Sequence, residues 1–396
     1  MRGRGLHFHF HLSLALLFAL IAASFGISVK NQSVRCIAAE RRALLDFKKG
    51  LINYDNSLNL LVSWTSKEEK CCKWKGVGCD NTTGHVVMLD LRSRITYGIF
   101  GGSLTVISGE IGTSLLELKH LSHLDLSLNH FYQIADFIGS LSDLTYHNLS
   151  SNPLTGFIPH QLVNLSRLVD LTFPLLVNIS RNLVELDLHH NQLSSLIPKS
   201  FDNMPALERI NFEDNSLEGG IPKSLGNLCH LKELNLRDNK LSGPLTFAVT
   251  NLSGCAKNSL EILFLDDNNF NGSLPNFVRF SSLRELTVAC NRLSGHFEDN
   301  FGNFSKITVS NLDKNRITGP LLDLSKLSSL RKLSLRGNQL EGLLPVNIGK
   351  LSQLVLLDVS NNSLHDVISE AHLFNLTKLR YLLISFNALS FNLISN

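Results

Sequence analysis

Charge is scarce in this chain. Asp, Glu, Lys and Arg make up 18% of its 396 residues against 43% hydrophobic residues, a balance that argues against a disordered chain. The formal net charge is only +3 and no clustered basic stripe follows the first few residues, so nucleic acid is not an expected partner. Beyond the N-terminus no apolar run approaches the roughly 20 residues that span a bilayer. Cysteines at Cys-x-x-Cys spacing are missing, which removes a zinc reading, and no Gly-x-Ser-x-Gly occurs to mark a hydrolase nucleophile. What remains is rich in Leu, Asn and Ser, and its order is repetitive.

Residues 327–350 carry the pattern: LSSLRKLSLRGNQLEGLLPVNIGK. Leu333 and Leu335 alternate as in a short strand with one buried face. Asn338 follows at a tight bend, where its amide can bond backbone groups that Leu would leave unpaired. Leu340, Leu344 and Ile348 then lead back to Leu351, the equivalent of Leu327. Such a unit cannot bury its leucines alone, so it implies stacked neighbours. The turn asparagine recurs at Asn129, Asn152, Asn191, Asn215, Asn239, Asn268, Asn291, Asn315, Asn338, Asn362 and Asn387. Several repeats add Gly-x-Ile-Pro after the turn, as at residues 156–159 and 219–222, which predicts a second short strand on the flank. A short helix or 3₁₀ turn on the outer side should follow.

Before the array, Arg2 and Arg4 precede an apolar run over residues 12–23 that reads as a secretory signal peptide. The expected division is a signal over 1–29, a cysteine cap over 30–84 and a repeat array of about eleven coils over 85–396. In the cap, Ala43, Leu44, Phe47 and Leu51 share one helical face, and Leu58, Leu61 and Trp64 offer a second apolar face. Seven cysteines suit an oxidising compartment. Adjacent Cys71 and Cys72 bond to each other only through a strained ring, which leaves Cys36–Cys71 with Cys72–Cys79, or the crossed pairing; local geometry favours the first. Cys229 and Cys255 sit on the outer segments of successive coils and suit a coil-to-coil disulfide, leaving Cys290 over. Sequons at Asn31, Asn81, Asn148, Asn164, Asn178, Asn251, Asn271, Asn303, Asn361 and Asn375 agree with a secreted glycoprotein.

Three intervals break the rhythm. The first coil is lengthened by GIFGGSLTVISGE, the Asn239–Asn268 interval is stretched around Cys255, and Asn152–Asn191 spans too much for one coil and too little for two. In the last, residues 165–173 start a coil but Leu176 falls where the turn asparagine belongs, which reads as a degenerate coil or a lost block.

CCKWKGVGCDNTTGHVVMLDL, SGEIGTSLLELKHLSHLDLSLN and the LxxLxLxxNxLxGxIP coils resemble plant extracellular leucine-rich-repeat receptors. GFIPHQLVNLSRL, IPKSLGNLCHLKEL, LSGCAKNSLEIL and FSSLREL are most similar to receptor-like proteins of the ethylene-inducing xylanase receptor group. The resemblance implies an α/β repeat solenoid, a right-handed superhelix with a parallel concave β-sheet and an N-terminal disulfide cap. It also implies a cell-surface protein in plant defence that senses a protein or glycan elicitor and signals through a partner receptor kinase. Members continue into further repeats, one transmembrane helix and a short tail; this chain stops within a coil, so an incomplete ectodomain is expected, with membrane attachment only through a helix absent from it. The other reading is a secreted inhibitor similar to plant polygalacturonase inhibitors, which share the cysteine cap but close with a C-terminal cysteine cap not found here.

Side chains around the strand should face the concave side, where ligands dock on such scaffolds. These positions give Asp187, His189 and His190, Glu213 and Asp214, Arg237 and Asp238, then Asp266 and Asp267, a mainly acidic candidate ligand surface. In residues 327–350 the same positions are Lys332, Ser334, Arg336 and Gly337, so the face should change sign along its length. Neighbours such as Asp266 and Asp267, or His189 and His190, should point to opposite faces and cannot act as an acid–base or metal pair. No enzyme activity, cofactor or metal is therefore expected.

Overall fold

The computed structural model describes residues 36–52, 61–93, 95–98, 101–104, 106–159, 182–297, 306–321 and 323–392. The signal peptide, Asn31, Leu58, Asn164, Asn178, Asn303 and the coil expected over 165–173 lie outside the described residues.

The cap begins with helix Ala38–Lys49, whose Ala43, Leu44 and Phe47 are buried beside Leu61 and Trp64. Trp64 stacks on Trp74 with ring centroids 5.5 Å apart. Leu51 does not extend the helix. The chain turns at Gly50, and Leu51–Ile52 pairs antiparallel with Ser108–Gly109. Gly109 has φ 117°, and a Cβ there would lie 2.4 Å from the Gly50 carbonyl oxygen, so only glycine fits. Disulfides join Cys36 to Cys71 and Cys72 to Cys79, each with Cα atoms 5.5 Å apart. Buried Glu40 ties this cap to the array: its carboxylate accepts from the Val86 amide at 2.8 Å and meets His85 Nδ1 at 2.9 Å.

The array is organised by a 13-stranded sheet. Cap strand Val77–Cys79 runs antiparallel to Val86–Asp90, and the strands that follow are all parallel. Counted with Val86–Asp90, the parallel strands outnumber the turn asparagines by one, because the first coil has Arg92 and Ser93 after Leu91 and no asparagine. In a typical strand, Lys332–Ser334, the central Leu333 is fully buried while its neighbours face outward. A second, eight-stranded sheet on the flank runs from Glu218–Gly219 to Ala388–Phe391, and 3₁₀ turns such as Val346–Lys350 cover the outer side. The core is a continuous column of leucines with neighbours on both sides, as a one-dimensional repeat requires.

The asparagines explain the corner. Asn338 is 8% exposed; its Nδ2 donates to the Leu312 carbonyl of the preceding coil at 3.0 Å and to Leu335 at 3.0 Å. Its Oδ1 accepts from the Ile317 amide at 3.1 Å. Asn239 repeats this with Phe212, Leu236 and Leu217. Each asparagine thus satisfies buried backbone groups in two coils at once.

The irregular intervals resolve differently. The first insertion forms an antiparallel hairpin, Ile95–Gly98 with Gly101–Leu104. The stretched interval holds helix Leu245–Leu252, and Cys229–Cys255 links the two coils with Cα atoms 4.8 Å apart. Across the long interval the sheet is unbroken. Tyr146–Asn148 pairs directly with Glu185–Asp187, Thr155–Gly156 pairs with Gln192–Leu193, and Asn191 Oδ1 accepts from the Leu154 amide. The chain therefore advances one coil between Asn152 and Asn191, and no further strand fits between them in the concave sheet. Among the described residues no helix is long and apolar enough to cross a membrane.

Candidate ligand surface on the concave sheet

Parallel register lines up equivalent side chains about 4.8 Å apart. One such row runs Glu185, Arg209, Glu233, Ile262, Glu285, Val309, Lys332, Leu356, Tyr381. The residue before each ladder asparagine is left-handed: φ is 51° at His190, 53° at Asp214, 52° at Asp238, 50° at Asp267, 51° at Cys290 and 50° at Lys314. That turn corrects one expectation. His189 and His190 do not diverge as strand neighbours would, and their rings approach to 5.1 Å.

The acidic positions are largely engaged with the protein itself. Asp187 Oδ1 accepts from the His189 amide at 3.1 Å and meets His189 Nδ1 at 2.6 Å, and that bond holds the imidazole above its ordinary range. His190 Nδ1 contacts the Asp214 carboxylate. Glu213 accepts from Asn235 Nδ2 at 2.9 Å, Glu185 pairs with Arg209 at 2.6 Å, and Asp267 lies 3.8 Å from Arg237. Asp266 is not a surface residue at all. It is 6% exposed and accepts from Thr287 Oγ1 at 2.5 Å and the Ala289 amide at 2.7 Å, bridging two coils; burial pushes its carboxyl up. Of the acidic positions in the band only Asp238 is exposed, with no side-chain hydrogen bond among the described residues, and burial together with Asp214 and Asp267 raises its carboxyl.

The basic positions are different. Lys314, Lys332 and Arg336 are exposed, and none of the three forms an ion pair among the described residues. Asp313 lies beside them, half-buried, with its Oδ1 accepting from the Arg336 amide at 2.7 Å.

Two features escaped sequence reading. His123 and Tyr146 stack across adjacent strands, with centroids 4.3 Å apart and planes 2° from parallel. His147 occupies the inward position that leucine fills in most coils; it is fully buried, neither ring nitrogen has a hydrogen-bond partner among the described residues, and desolvation lowers it to about 4. The signal was Tyr146-His147-Asn148-Leu149, an LxL strand with histidine for its first leucine. Cys290 carries a free, half-buried thiol that burial and Asp267 push up, away from the reactive thiolate. Of the sequons, Asn81, Asn271, Asn361 and Asn375 are exposed. Asn148 donates to the Tyr146 hydroxyl at 3.0 Å, and Asn251 to the Ile221 carbonyl at 2.7 Å, so both are partly committed. Among the described residues one cluster has metal-binding proximity, Cys36, Cys71 and Cys72, and its sulfurs are in disulfides.

A family model for leucine rich repeats matches residues 181–241 and 328–389, and one for the leucine rich repeat N-terminal domain matches 37–80. With the stacked parallel sheets and the disulfide cap, they define a plant-type leucine-rich-repeat solenoid. Within that class the chain resembles the plant receptor-like proteins of the EIX group. Receptor-like protein EIX2 of Solanum lycopersicum is 34% identical over 70% of this chain and 36% of its own length. Receptor-like protein EIX1 of the same species is 32% identical over 73% of this chain and 27% of its own. The chain therefore spans about a third of the length of these curated relatives. Among solved structures, the leucine-rich-repeat ectodomain of the Arabidopsis receptor kinase HAESA, in complex with an extended IDA peptide hormone, is 29% identical. It superposes with a TM-score of 0.70 over 88% of this chain and 53% of that one.

Proposed function

We propose that this chain is the N-terminal, ligand-recognising part of the ectodomain of a plant cell-surface receptor-like protein acting in defence, with the concave sheet as its docking face. The observation that carries the reading is a long parallel sheet, rigidly laddered from behind, that presents a different set of side chains on every coil. Similarity to the EIX receptor-like proteins over 70% and 73% of the chain supports it. On this reading the protein binds and does no chemistry. Its ligand is a protein or glycan elicitor, a microbial xylanase-type protein being the candidate that the resemblance suggests. Signalling passes through a partner receptor kinase, and glycans sit at Asn81, Asn271 and Asn375.

The test is surface plasmon resonance of the purified secreted chain against a microbial xylanase, catalytically inactivated. Saturable binding that weakens when concave residues such as Arg209 and Lys332 become alanine supports the reading. Binding indifferent to every concave substitution contradicts it, and inhibition of a polygalacturonase by the same chain would favour the secreted inhibitor instead.

A further inference from the structure

The flank of the first coils carries a groove as well as short strands. Past each strand the chain turns an isoleucine inward: Ile111, Ile134, Ile158 and Ile197 are between 2% and 7% exposed. The residue before each, the variable position of Gly-x-Ile-Pro or its equivalent, is Glu110, Gln133, Phe157 and Leu196 in turn. Two cavities open along this row. The one nearer the cap has a volume of about 730 Å³, with Ile111 and Ile134 buried in its wall and Ile52 and Tyr132 on its rim. The next, of about 910 Å³, takes in Ile134, Phe157, Ile158 and Leu196. Gln133, Ile134 and Asp136 line both, so the two are one groove. Its apolar members stand in water: Ile52 is 52% exposed, Tyr132 50%, Phe157 75% and Leu196 59%. Gathered apolar side chains of this kind mark a contact surface.

The charges of the groove have one sign. Among the described residues its charged lining is Glu110, Asp136 and Glu218, all exposed, and no Lys, Arg or His lines it. None of the three carboxylates has an ion pair or a side-chain hydrogen bond among the described residues. Glu218, at the far end, has Lys240 beside it in the flank ladder, so the attraction for a cation centres on Glu110 and Asp136. The chain as a whole carries a formal charge of +3, which makes this acidic lining a local feature.

We infer that the groove docks an extended, basic peptide segment of a partner protein, with apolar side chains between its cations. Charge complementarity sets the sign of the partner. The alternation along the row sets its class. Glu110 and Asp136 would hold Lys or Arg side chains, while Tyr132, Phe157 and Leu196 would cover the apolar ones. A polyamine or a cationic saccharide offers nothing to the apolar members. From Glu110 to Leu196 the row crosses four coils, about 14 Å at the spacing of parallel strands, the reach of four or five extended residues. This surface lies on the flank and is separate from the concave docking face, so either can fail without the other.

The probe is a labelled nonapeptide alternating Arg and Leu, followed by fluorescence anisotropy on the full secreted chain. Peptides alternating Glu and Leu, or Arg and Ser, and a chitosan oligomer serve as comparisons. Expected is saturable binding of the Arg–Leu peptide alone, weakened about tenfold by Glu110→Gln/Asp136→Asn, the loss that follows from removing a charge-assisted hydrogen bond. Phe157→Ser, which changes an exposed side chain, should weaken it independently. Equal binding of the Arg–Ser peptide or the chitosan oligomer would overturn the inference, as would indifference to both variants. With p-benzoylphenylalanine in place of Tyr132, irradiation should crosslink the chain to the bound peptide. Bound peptide that escapes the crosslink, or crosslinks that run instead to residues 53–60 or 160–181 of the same chain, would also overturn it.

Discussion

The coils of Asn215, Asn239 and Asn268 and the coils of Asn315 and Asn338 share the same strand, turn and asparagine ladder, yet they dispose of their charges in opposite ways. In the first group Glu213, Asp214, Asp266 and Asp267 reach across to Asn235, His190, Thr287 and Arg237. In the second, Lys314, Lys332 and Arg336 reach no carboxylate among the described residues. Charge on a repeat surface therefore indicates a ligand only after the bonds between coils have been subtracted. By that measure the acidic band is mostly scaffold, and the basic coils are the freer surface.

The largest effect should be the one that does not distinguish the two groups. Asn239→Ala and Asn338→Ala each strand buried backbone groups in two coils and should each cost about 4 kcal/mol, at roughly 1–3 per unsatisfied group. Urea unfolding of both variants checks this, and a large inequality would mean that the ladder is not the common scaffold. Next comes acid. His147 is held at about 4 against an ordinary value of 6.5, so the unfolded chain takes up the proton first as pH falls. Its contribution is whole above pH 6.5 and drains away towards pH 4, by at most about 3 kcal/mol. Asp266 shifts the other way, its carboxyl raised by burial, so the same acid does not weaken its coil. Hydrogen exchange at neutral pH and near pH 4.5 should show loosening around Tyr146–Asn148 before the Asn268 coil, and His147→Leu should abolish it.

Smaller effects bear on the comparison itself. Asp266→Ala leaves the Ala289 amide and Thr287 hydroxyl without their acceptor and should destabilise by about 2 kcal/mol, whereas Arg336→Ala should stay within about 0.5 kcal/mol. Thermal melts of the pair check that contrast. Replacing Glu185 by Gln, which removes a half-exposed ion pair with Arg209, should cost below about 1 kcal/mol, and less in high salt.

The architecture was legible because Leu and Asn do the same job in every coil: Leu333 and Leu335 point inward, Asn338 bonds the corner, and the cap cysteines lie close in sequence. Reading faltered where one residue's neighbours in space are far away in sequence. Asp266 looked like surface because its burial depends on Thr287 and Ala289, one coil on. His189 and His190 looked divergent because strand alternation was carried one residue past the strand, into a left-handed turn. The continuity of the sheet from Tyr146–Asn148 to Glu185–Asp187 could not be read from spacing, since 39 residues is a length that fits neither one coil nor two. Gly337 was visible as a variable residue, but that it stands in a row of left-handed turn residues, ten of them not glycine, required the backbone.

The division between scaffold charge and free charge is tested most directly by hydrogen–deuterium exchange on two variants of the full chain, Asp266→Ala and Lys314→Ala/Arg336→Ala. The account predicts that the first loses protection in the strands Ile262–Phe264 and Glu285–Thr287 while the second keeps the parent's pattern throughout. Comparable losses in both, or a loss in the Asn315 and Asn338 coils alone, would contradict it.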